Sequence, residues 1–429
     1  MIKPTNLQEL RVKIGQRAKS APEHRFWGMH VHIVKLETLE AAYLEAKRNR
    51  GAPGSDGETF EQIEERGRIE FLTELASELR AGTYCPRPYR KKEIEKEGGK
   101  VRVISIPSIR DRVVQGALRL ILEPIFEADF SDSSFGARPG RSAHEALDRV
   151  REGLLRRQHR VVDIDLARFF DTIRHAEILK KLARRVSDGK VLALAKQFLK
   201  SIGACGIPQG SPLSPLLANL TLNDLDHALD RGRDFITYVR YLDDMVVLAP
   251  DSARGRRWAD RALERIREEA EAVGVTLNAE KTRIVGMTDE RAHFAFLGFE
   301  LRWIRSFRSG AWFAYTRPRR KKVQAVLREV RTILRTSRHL KVQAAIEQIN
   351  PVVRGWANYF RYGNSSRALG SVKYHVERKV RRFAARQRGH KGFGFERWSS
   401  AVVYGQWGLY ADYRLGRDGA KARGSRKEA

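Results

Sequence analysis

Hydrophobic and polar positions divide the chain into a mixed front and a helical rear. Residues 1 to about 80 have helical periodicity, which is broken by the Gly- and Pro-rich loop RGAPGSDGETF. From Tyr84 to about residue 305, strand-like alternation is interleaved with helical segments, as is typical of an α+β domain. Two patterns inside this region predict hairpins: RKKEIEKEGGKVRVISIP, with its Gly98-Gly99 turn, and YVRYLDDMVVLAP, at residues 238–250.

Beyond Arg317 the apolar positions recur at helical spacing in three successive stripes. Amphipathic helices of this kind, with basic outer faces, predict a small helical bundle. From about residue 386 the sequence changes again and mixes Arg, Lys, Gly and aromatic residues. The stripes are Val323, Val326, Leu327, Val330, Ile333 and Leu334; Val342, Ile346, Ile349, Val353 and Trp356; and Val372, Val376, Val380 and Phe383.

The charge of the chain is concentrated in its rear part. The 82 Lys and Arg residues exceed the 52 Asp and Glu residues by 30, and residues from Leu301 onward carry 31 basic and 7 acidic residues. This imbalance predicts a polyanionic partner, and nucleic acid above all. Cys85 and Cys205 lie in no ligand cluster, and no stretch has the apolar length of a signal peptide or a membrane span. We therefore expect a soluble intracellular protein without a disulfide framework or a structural zinc.

Two adjacent acids, Asp243 and Asp244, interrupt the second predicted hairpin. Neighbouring strand residues face opposite ways, so both can reach one ion if they lie at a tight turn. Carboxylates near an apolar layer are costly unless cations compensate them. The strand RVVDIDLARFF offers a third acid, Asp163 or Asp165, and these two share one face. The residues alone leave that choice open, and they leave open whether such acids are simply solvated.

Carboxylates without nitrogen or sulfur ligands favour magnesium. Two such ions that clamp an attacking and a leaving oxygen are the arrangement of nucleotidyl transfer. The acids and the polybasic rear therefore predict a metal-dependent enzyme that acts on nucleic acid.

Seven stretches resemble, in family order, the motif blocks of group II intron-encoded reverse transcriptases (maturases). Downstream, INPVVRGWANYFRYGN and VVYGQWGLYADYR resemble the thumb (X domain) and C-terminal segment of that family, so the resemblance covers about residues 35 to 415. It implies an α+β right-hand polymerase with an N-terminal extension (1–60), fingers and palm (61–305), a helical thumb (306–385) and a basic DNA-binding-like segment (386–429). The seven stretches are RVISIPSIRDRVVQ, SSFGARPGRSAHEAL, VDIDLARFFDTI, IPQGSPLSPLLANL, YLDD, LNAEKT and FAFLGF.

The resemblance assigns the metal ligands and the reaction. Asp165 begins the DxxxFFD pattern and matches the family's ligand in this strand, and Asp243 and Asp244 complete the catalytic site. The family implies two Mg²⁺ ions, with Mn²⁺ as a substitute, and extension of a primer 3′-hydroxyl with dNTPs on RNA or DNA templates. Asp243 is the stronger candidate for bridging both ions.

The resemblance also implies which residues contact the nucleotide. Lys96 and Arg102 match fingers residues that contact the triphosphate, and Phe170 matches the bulky residue that excludes a 2′-hydroxyl. Gln209 lies in the segment that lines the nucleotide. Lys281 is expected near the triphosphate, where it would protonate the leaving pyrophosphate, although a plain salt bridge explains it equally well.

Four residues are assigned to the template or primer. Arg138 and Arg141 are expected to contact the template backbone, and Gly210 to line the template side of the PQG loop. Leu242 stands where the family usually has Ala, beside the expected primer 3′ end. Leu242 would change which primers are accepted, or it is a tolerated apolar replacement.

Three functions remain open at this point. The first is an intron-encoded enzyme that assists splicing and performs target-primed reverse transcription. The second is an intron-free relative that acts in DNA break repair or defence through short-overlap primer annealing, and the third is an RNA-binding splicing maturase that does not polymerise. Nothing resembles the family's HNH endonuclease, so cutting of target DNA is not expected. The expected partners are template, primer, dNTPs, group II intron RNA and a second copy of the chain, in a bacterial cytoplasm near the nucleoid.

Overall fold

The computed structural model describes residues 6–95, 101–289 and 291–416. It divides into two compact units, one formed by Met1–Val150 and Arg160–Ile284 and the other by Arg151–His159 and Val285–Ala429. The division near residue 284 precedes the expected palm–thumb boundary at 305. The reason is strand pairing: residues 294–305, expected in the palm, form one sheet with residues 312–318, which lie beyond that boundary.

Helices make up most of the first unit. The three apolar residues Val113, Ala117 and Ile121 of α6 are fully buried, as the helical periodicity of this segment predicts. The helices that begin in this unit are α1 Asn6–Ser20, α2 Met29–Ile33, α3 Leu36–Arg48, α4 Phe60–Arg66, α5 Arg68–Ala81, α6 Ile109–Glu127, α7 Ala143–Leu155, α8 Phe169–Thr172, α9 His175–Arg185, α10 Gly189–Lys200, α11 Ser214–Asp230 and α12 Ala253–Ala272.

The strands of the first unit form two sheets. The antiparallel pair β1 and β2 is the predicted basic hairpin, whose turn at residues 96–100 lies outside the described residues. The larger sheet has the order β4-β5-β3-β6, with β4 and β5 joined by the predicted acidic hairpin. Helices α11 and α12 pack against this sheet. The strands are β1 Arg90–Glu95, β2 Val101–Ile106, β3 Arg160–Ala167, β4 Thr237–Tyr241, β5 Asp244–Ala249, β6 Thr276–Leu277 and β7 Arg283–Gly286.

The second unit combines a three-stranded sheet with a helical bundle. Strands β8 (Phe294–Phe296), β9 (Phe299–Arg305) and β10 (Trp312–Pro318) have the order β10-β9-β8. Helices α13 (Arg320–Thr336), α14 (Val342–Phe360) and α15 (Ser366–Gln387) follow. Their three apolar stripes meet in one core, as predicted from the sequence.

Part of the chain beyond α15 belongs to that same core. It returns to the bundle and buries Trp398, Val403, Trp407 and Leu409 among the helix stripes. Large apolar side chains in a basic sequence still gain about 1.5–3 kcal/mol each on burial, and the expected DNA-binding-like segment at 386–429 stays a prediction.

Two further expectations concern the whole chain. Cys85 and Cys205 are free and exposed, in line with the expected absence of a disulfide framework. Within the three described ranges, no helix combines the length and the apolar character needed to cross a bilayer.

Candidate active site

The acidic hairpin closes with a two-residue turn. Tyr241 of β4 pairs with Asp244 of β5, so Leu242 and Asp243 form the turn. Leu242 has a φ of 57°, in the left-handed region, whereas Asp243 does not. A positive φ at the first turn position matches the right-handed twist of the strands but costs a non-glycine residue about 1–2 kcal/mol. Other interactions must therefore hold this turn in place.

A buried polar network beneath the hairpin supplies them. Arg240 and Asp226 form an ion pair through two hydrogen bonds of 2.7 and 2.5 Å, and both side chains are completely buried. Arg240 also donates to Asn219 Oδ1 (2.9 Å) and to the carbonyl oxygen of Leu242 (3.1 Å). Tyr238 donates its hydroxyl to the same Asp226 carboxylate at 2.9 Å. The network therefore links α11 directly to the backbone of the turn.

The loop before α7 fixes the hairpin from its other side. The backbone of Arg240 donates to the carbonyl of Ser133 at 2.8 Å, and Asn219 donates its amide to the carbonyl of Gly136 at 2.8 Å. A Cβ atom on Gly136 would lie 2.5 Å from the nitrogen of Leu242 and 2.9 Å from its Cγ. Glycine is required here because the loop backbone lies against the turn itself.

Three carboxylates share the open face of the sheet. Asp165 of β3 lies directly opposite Asp244 of β5, and directly opposed residues of antiparallel strands face the same side. Asp163 is on that face two residues earlier, and Asp243 adjoins it at the turn. The pKa of Asp244 is raised to about 6. The main cause is desolvation by the surrounding protein, and the negative charges of Asp243, Asp165 and Asp163 add to it. Solvent still reaches the Asp244 side chain.

Cationic side chains compensate this face. Lys281 binds both carboxylate oxygens of Asp165, at 3.0 and 2.9 Å, and Asn278 donates to Oδ2 at 2.9 Å. Arg283 binds Asp163 at 3.1 Å. The sequence leaves open whether Asp163 or Asp165 is the third acid. The structure distinguishes their positions, because Asp165 is the one that lies directly opposite Asp244.

The donor set fits a divalent ion in its chemistry. In the described part of the chain, no three His, Cys, Asp or Glu side chains already converge as metal ligands. At this face the ammonium of Lys281 occupies both oxygens of Asp165, where a cation is evidently favoured. The carboxylates on this face outnumber the cationic side chains beside them. Mg²⁺ prefers such oxygen ligands, and it usually binds through one or two carboxylates together with phosphate oxygens. Each carboxylate oxygen of Asp165 has a second lone pair, so an ion bound here would share Asp165 with Lys281 or displace Lys281 from it.

A groove in the first unit collects most of the expected nucleotide residues. Arg102, Phe170, Gln209 and Gly210 all line it, and so does Arg138. The PQG loop is held against the basic hairpin, since the carbonyl of Gln209 accepts a 2.8 Å bond from the Ser105 backbone.

Gly210 is essential to this approach of loop and strand. Its φ is 119°, and a Cβ atom there would lie 2.9 Å from the carbonyl oxygen of Ser105. Phe170 lies on the short helix α8 instead of in the predicted strand, because Arg168, with a φ of 45°, ends the extended backbone. The ring of Phe170 packs edge-on against Phe169.

Two buried polar atoms in this groove have no hydrogen-bond partner among the described residues. They are Arg102 Nε and Gln209 Oε1. Unsatisfied buried groups cost about 1–3 kcal/mol each, so a ligand that donated to or accepted from these atoms would relieve that cost. Lys96, the second residue expected at the triphosphate, lies outside the described residues.

The two arginines expected at the template differ in their surroundings. Arg138 is buried, and its guanidinium binds Glu127 at 2.7 Å and the carbonyl of Ser134 at 2.7 Å. These bonds hold Arg138 in its own loop, and its expected contact with template stays a prediction. Arg141 binds Asp132 at 2.5 Å, stacks on Phe135 and keeps a partly exposed side chain.

Sequence reasoning missed the supporting residues of this site. Arg240 and Asp226 are charged residues within apolar runs, and that pattern is itself the signal of a buried ion pair. Asn278 precedes Lys281 by three residues in LNAEKT, and the loop between them brings both side chains to Asp165.

Two parts of the chain match known protein families. Residues 94–301 match the reverse transcriptase (RNA-dependent DNA polymerase) family, and residues 323–401 match the group II intron, maturase-specific domain. Protein YkfC of Escherichia coli (strain K12) is 31% identical over an alignment of 346 residues, which covers 69% of this chain and 88% of YkfC. The chain belongs to the group II intron-like reverse transcriptase (maturase) family.

Other relatives of this reverse transcriptase are intron-encoded. Group II intron-encoded protein LtrA of Lactococcus lactis subsp. cremoris is 31% identical over 237 residues, which are 52% of this chain and 38% of LtrA. The putative COX1/OXI3 intron 1 protein of Saccharomyces cerevisiae is 27% identical over 329 residues, or 62% of this chain and 38% of that protein. The chain thus spans well under half the length of these two relatives.

Membership in the family identifies the class of enzyme. The protein is an RNA-directed DNA polymerase of the intron-maturase type, as the resemblance implied. A reverse transcriptase domain depends on a divalent metal ion in general, and the two domains together imply binding of RNA and DNA.

Proposed function

We propose that this reverse transcriptase extends a primer 3′-hydroxyl with dNTPs on RNA or DNA templates, with Asp165, Asp243 and Asp244 as its catalytic acids. The observation that carries the proposal is the register of the sheet, which sets Asp165 opposite Asp244 beside the Asp243 turn. Residues Arg102, Phe170, Gln209 and Gly210, brought together in one groove, support it.

The acids hold the reacting groups by charge. When bound, two Mg²⁺ ions, or Mn²⁺ in their place, would stabilise the attacking and leaving oxygens. Asp165, Asp243 and Asp244 supply the carboxylates for them. Lys281, which is ion-paired with Asp165 at 2.9 Å, lies beside the carboxylates that would hold the ions, and it would protonate the leaving pyrophosphate.

The groove residues select and orient the nucleotide. Arg102 offers a planar guanidinium that binds phosphate oxygens in pairs, and its Nε is without a partner in the described residues. Phe170 sets the wall against which a 2′-hydroxyl would collide. Gly51 and Ala52 of the loop RGAPGSDG line the same groove, so this N-terminal loop is a further candidate contact for template.

The second unit supplies the thumb and its grip on nucleic acid. A cavity between α13 and α15 is lined by basic side chains with no acidic residue among the described lining residues. Burial, followed by the charges of Arg331 and Arg382, lowers the pKa of Lys379 in it. Such crowding of cations favours phosphate groups, whose binding releases counterions and is steeply salt-dependent. The basic residues are Arg331, Arg335, Arg338, Lys379, Arg382 and Arg386.

Leu242 favours a role for this polymerase outside intron mobility. Its side chain lies against Gly136, in the loop that carries Arg138 and Arg141. A bulky residue there links the catalytic turn to that loop, and this supports altered primer choice, such as annealing of short overlaps in break repair. Intron splicing and target-primed synthesis are the alternative, and binding of group II intron RNA distinguishes them. We also propose that the enzyme is bacterial, that it associates with the nucleoid and that it forms a homodimer through its N-terminal extension.

Primer extension tests the proposal directly. Wild type, Asp243→Asn and the control Asp251→Asn, which changes an exposed acid just after β5, are compared on RNA and DNA templates with Mg²⁺. We expect Asp243→Asn to slow extension by at least about 100-fold, since metal-held charge is worth several kcal/mol in the transition state. Asp251→Asn should extend normally.

Binding measurements separate the alternatives. Asp243→Asn should bind primer–template as well as wild type does, because the change removes one negative charge. Extension that survives Asp243→Asn would refute the metal assignment. A wild type that binds intron RNA tightly but extends no primer would instead support the splicing maturase without polymerase activity.

A further inference from the structure

The hairpin that joins β9 to β10 carries an exposed aromatic ring at its tip. Phe307 is the most exposed of the large apolar side chains described, and nothing in its own loop covers it. Its backbone is nevertheless ordered by hydrogen bonds. Ser306 donates to the carbonyl of Ala311 and Gly310 donates to the carbonyl of Ser306, both at 2.8 Å. Phe307 is thus the first residue of a closed four-residue loop.

The stem below the tip is rigid. Trp303 and Trp312 lie nearly parallel, with ring centroids 6.3 Å apart, and the ring of His159 adjoins Trp303 at 4.7 Å. Arg305 donates its Nε to the carbonyl of Gly310 at 2.8 Å, which ties the last residue of β9 across the loop. Gly310 has a φ of 65°, as a turn of this kind requires. The ring of Phe307 is therefore presented on a fixed support.

Positive charge lies beside this ring. Arg305 and Arg308 are within two residues of Phe307, whereas Arg302 and Arg317 lie farther down the hairpin, where both are ion-paired with Glu300. Arg308 adjoins Phe307 and is itself exposed. A lipid or protein surface that buried the ring would also have to receive these guanidinium groups. A nucleic-acid strand satisfies both, because it offers a flat base to the ring and phosphates to the arginines.

We propose that the β9–β10 tip is a stacking site for an unpaired nucleobase, with Phe307 against the base and Arg308 on the adjacent phosphate. The unpaired state follows from geometry. Bases inside a duplex already stack on both faces, whereas a base of a single strand has a free face for one ring. The site would hold the single strand beside a primer–template duplex, so the inference rests on the nucleic-acid substrate of the proposed function.

Binding of single strands without nucleotides or metal ions tests the site. Labelled oligonucleotides with bases and abasic oligonucleotides of equal length are titrated against wild type, Phe307→Ala and Phe307→Trp in EDTA. We expect Phe307→Ala to bind the base-containing strand about 5- to 100-fold more weakly. Binding to the abasic strand should not change, and Phe307→Trp should restore the preference for bases.

Two controls make the result specific. Trp27→Ala removes another exposed aromatic ring, in the first unit, and should keep the preference for bases. Arg308→Gln should weaken both strands alike and reduce the salt slope by about 0.7. Asp243→Asn should also keep the preference for base-containing strands. A wrong assignment of the catalytic acids would therefore leave this binding measurement unchanged and could not be mistaken for the absence of the stacking site.

Equal binding of the base-containing strand by Phe307→Ala and wild type would overturn the site. If Phe307→Ala then also has a lower mass than wild type in sedimentation, the tip is a contact between two copies of the chain.

Discussion

The ion pair beneath the catalytic hairpin gives a prediction that depends on burial. Replacing Arg240 with Met keeps an unbranched apolar stem, removes the guanidinium and leaves the Asp226 carboxylate buried without its main partner. Burial opposes the charge of Arg240, and the carboxylate of Asp226 overcomes this and raises the pKa of the guanidinium. Removing one member of such a buried pair costs about 3–5 kcal/mol, far more than the 0–1 kcal/mol of an exposed pair.

The magnitude follows from the contacts that are lost. Arg240 makes two bonds to Asp226, one to Asn219 and one to the Leu242 carbonyl. The side chains of Asp226 and Asn219 cannot turn to water, because both residues are buried. Local unfolding of the hairpin should therefore become easier by about 3–5 kcal/mol. The backbone amides of β4 and β5 should exchange about 10²- to 4 × 10³-fold faster, since 1.4 kcal/mol is tenfold.

Hydrogen exchange with mass spectrometry measures this effect peptide by peptide. Peptides from residues 236–250 should lose protection in Arg240→Met, whereas peptides from α13–α15 serve as an internal reference in the other unit. Arg184→Ala, which removes an exposed ion pair with Asp224, is the matched control and should change little. The double variant Arg240→Met/Asp226→Leu should recover much of the protection. Protection in Arg240→Met equal to that of the control would refute the reasoning.

Three further predictions test single residues. Phe170→Ala should raise incorporation of ribonucleotides relative to dNTPs by at least about tenfold, as steady-state extension measures, and an unchanged ratio would remove Phe170 as the sugar gate. Leu242→Ala should change the preference among blunt, recessed and short-overlap primers, and an identical preference would make Leu242 a neutral replacement. Trp398→Ala should destabilise the second unit by about 3–5 kcal/mol in urea unfolding, because its buried ring packs against Trp407. A loss below 1 kcal/mol would contradict that packing.

Local patterns predicted the main elements because their periodicity is a local property. The acidic hairpin, the strand that carries Asp163 and Asp165, and the three helices of the second unit all appear where the sequence predicts them. Choosing between Asp163 and Asp165 required the register between β3 and β5. That register joins residues some 80 positions apart, so no local pattern contains it.

Other features were missed because their signals are mixed. Strand β10 alternates Trp312, Ala314 and Thr316 on one face, but it lies next to an Arg- and Gly-rich turn and ends at Pro318. The resemblance places Arg138 at the template, but its burial and its bond to Glu127, eleven residues earlier, are not visible in that motif. Basic residues near the end of the chain likewise obscured the Trp398 and Trp407 pair, which the bundle buries.

Leu242 joins a backbone effect to a side-chain effect. From the sequence, it is an added bulk beside the catalytic acids. In the structure its φ of 57° is unfavourable for any residue with a Cβ atom, and Ala would carry the same cost. The strain therefore belongs to the turn, which Arg240 holds through the Leu242 carbonyl, and not to the change from Ala to Leu. What Leu adds is contact with the Gly136 loop, so its influence must act through the position of that loop.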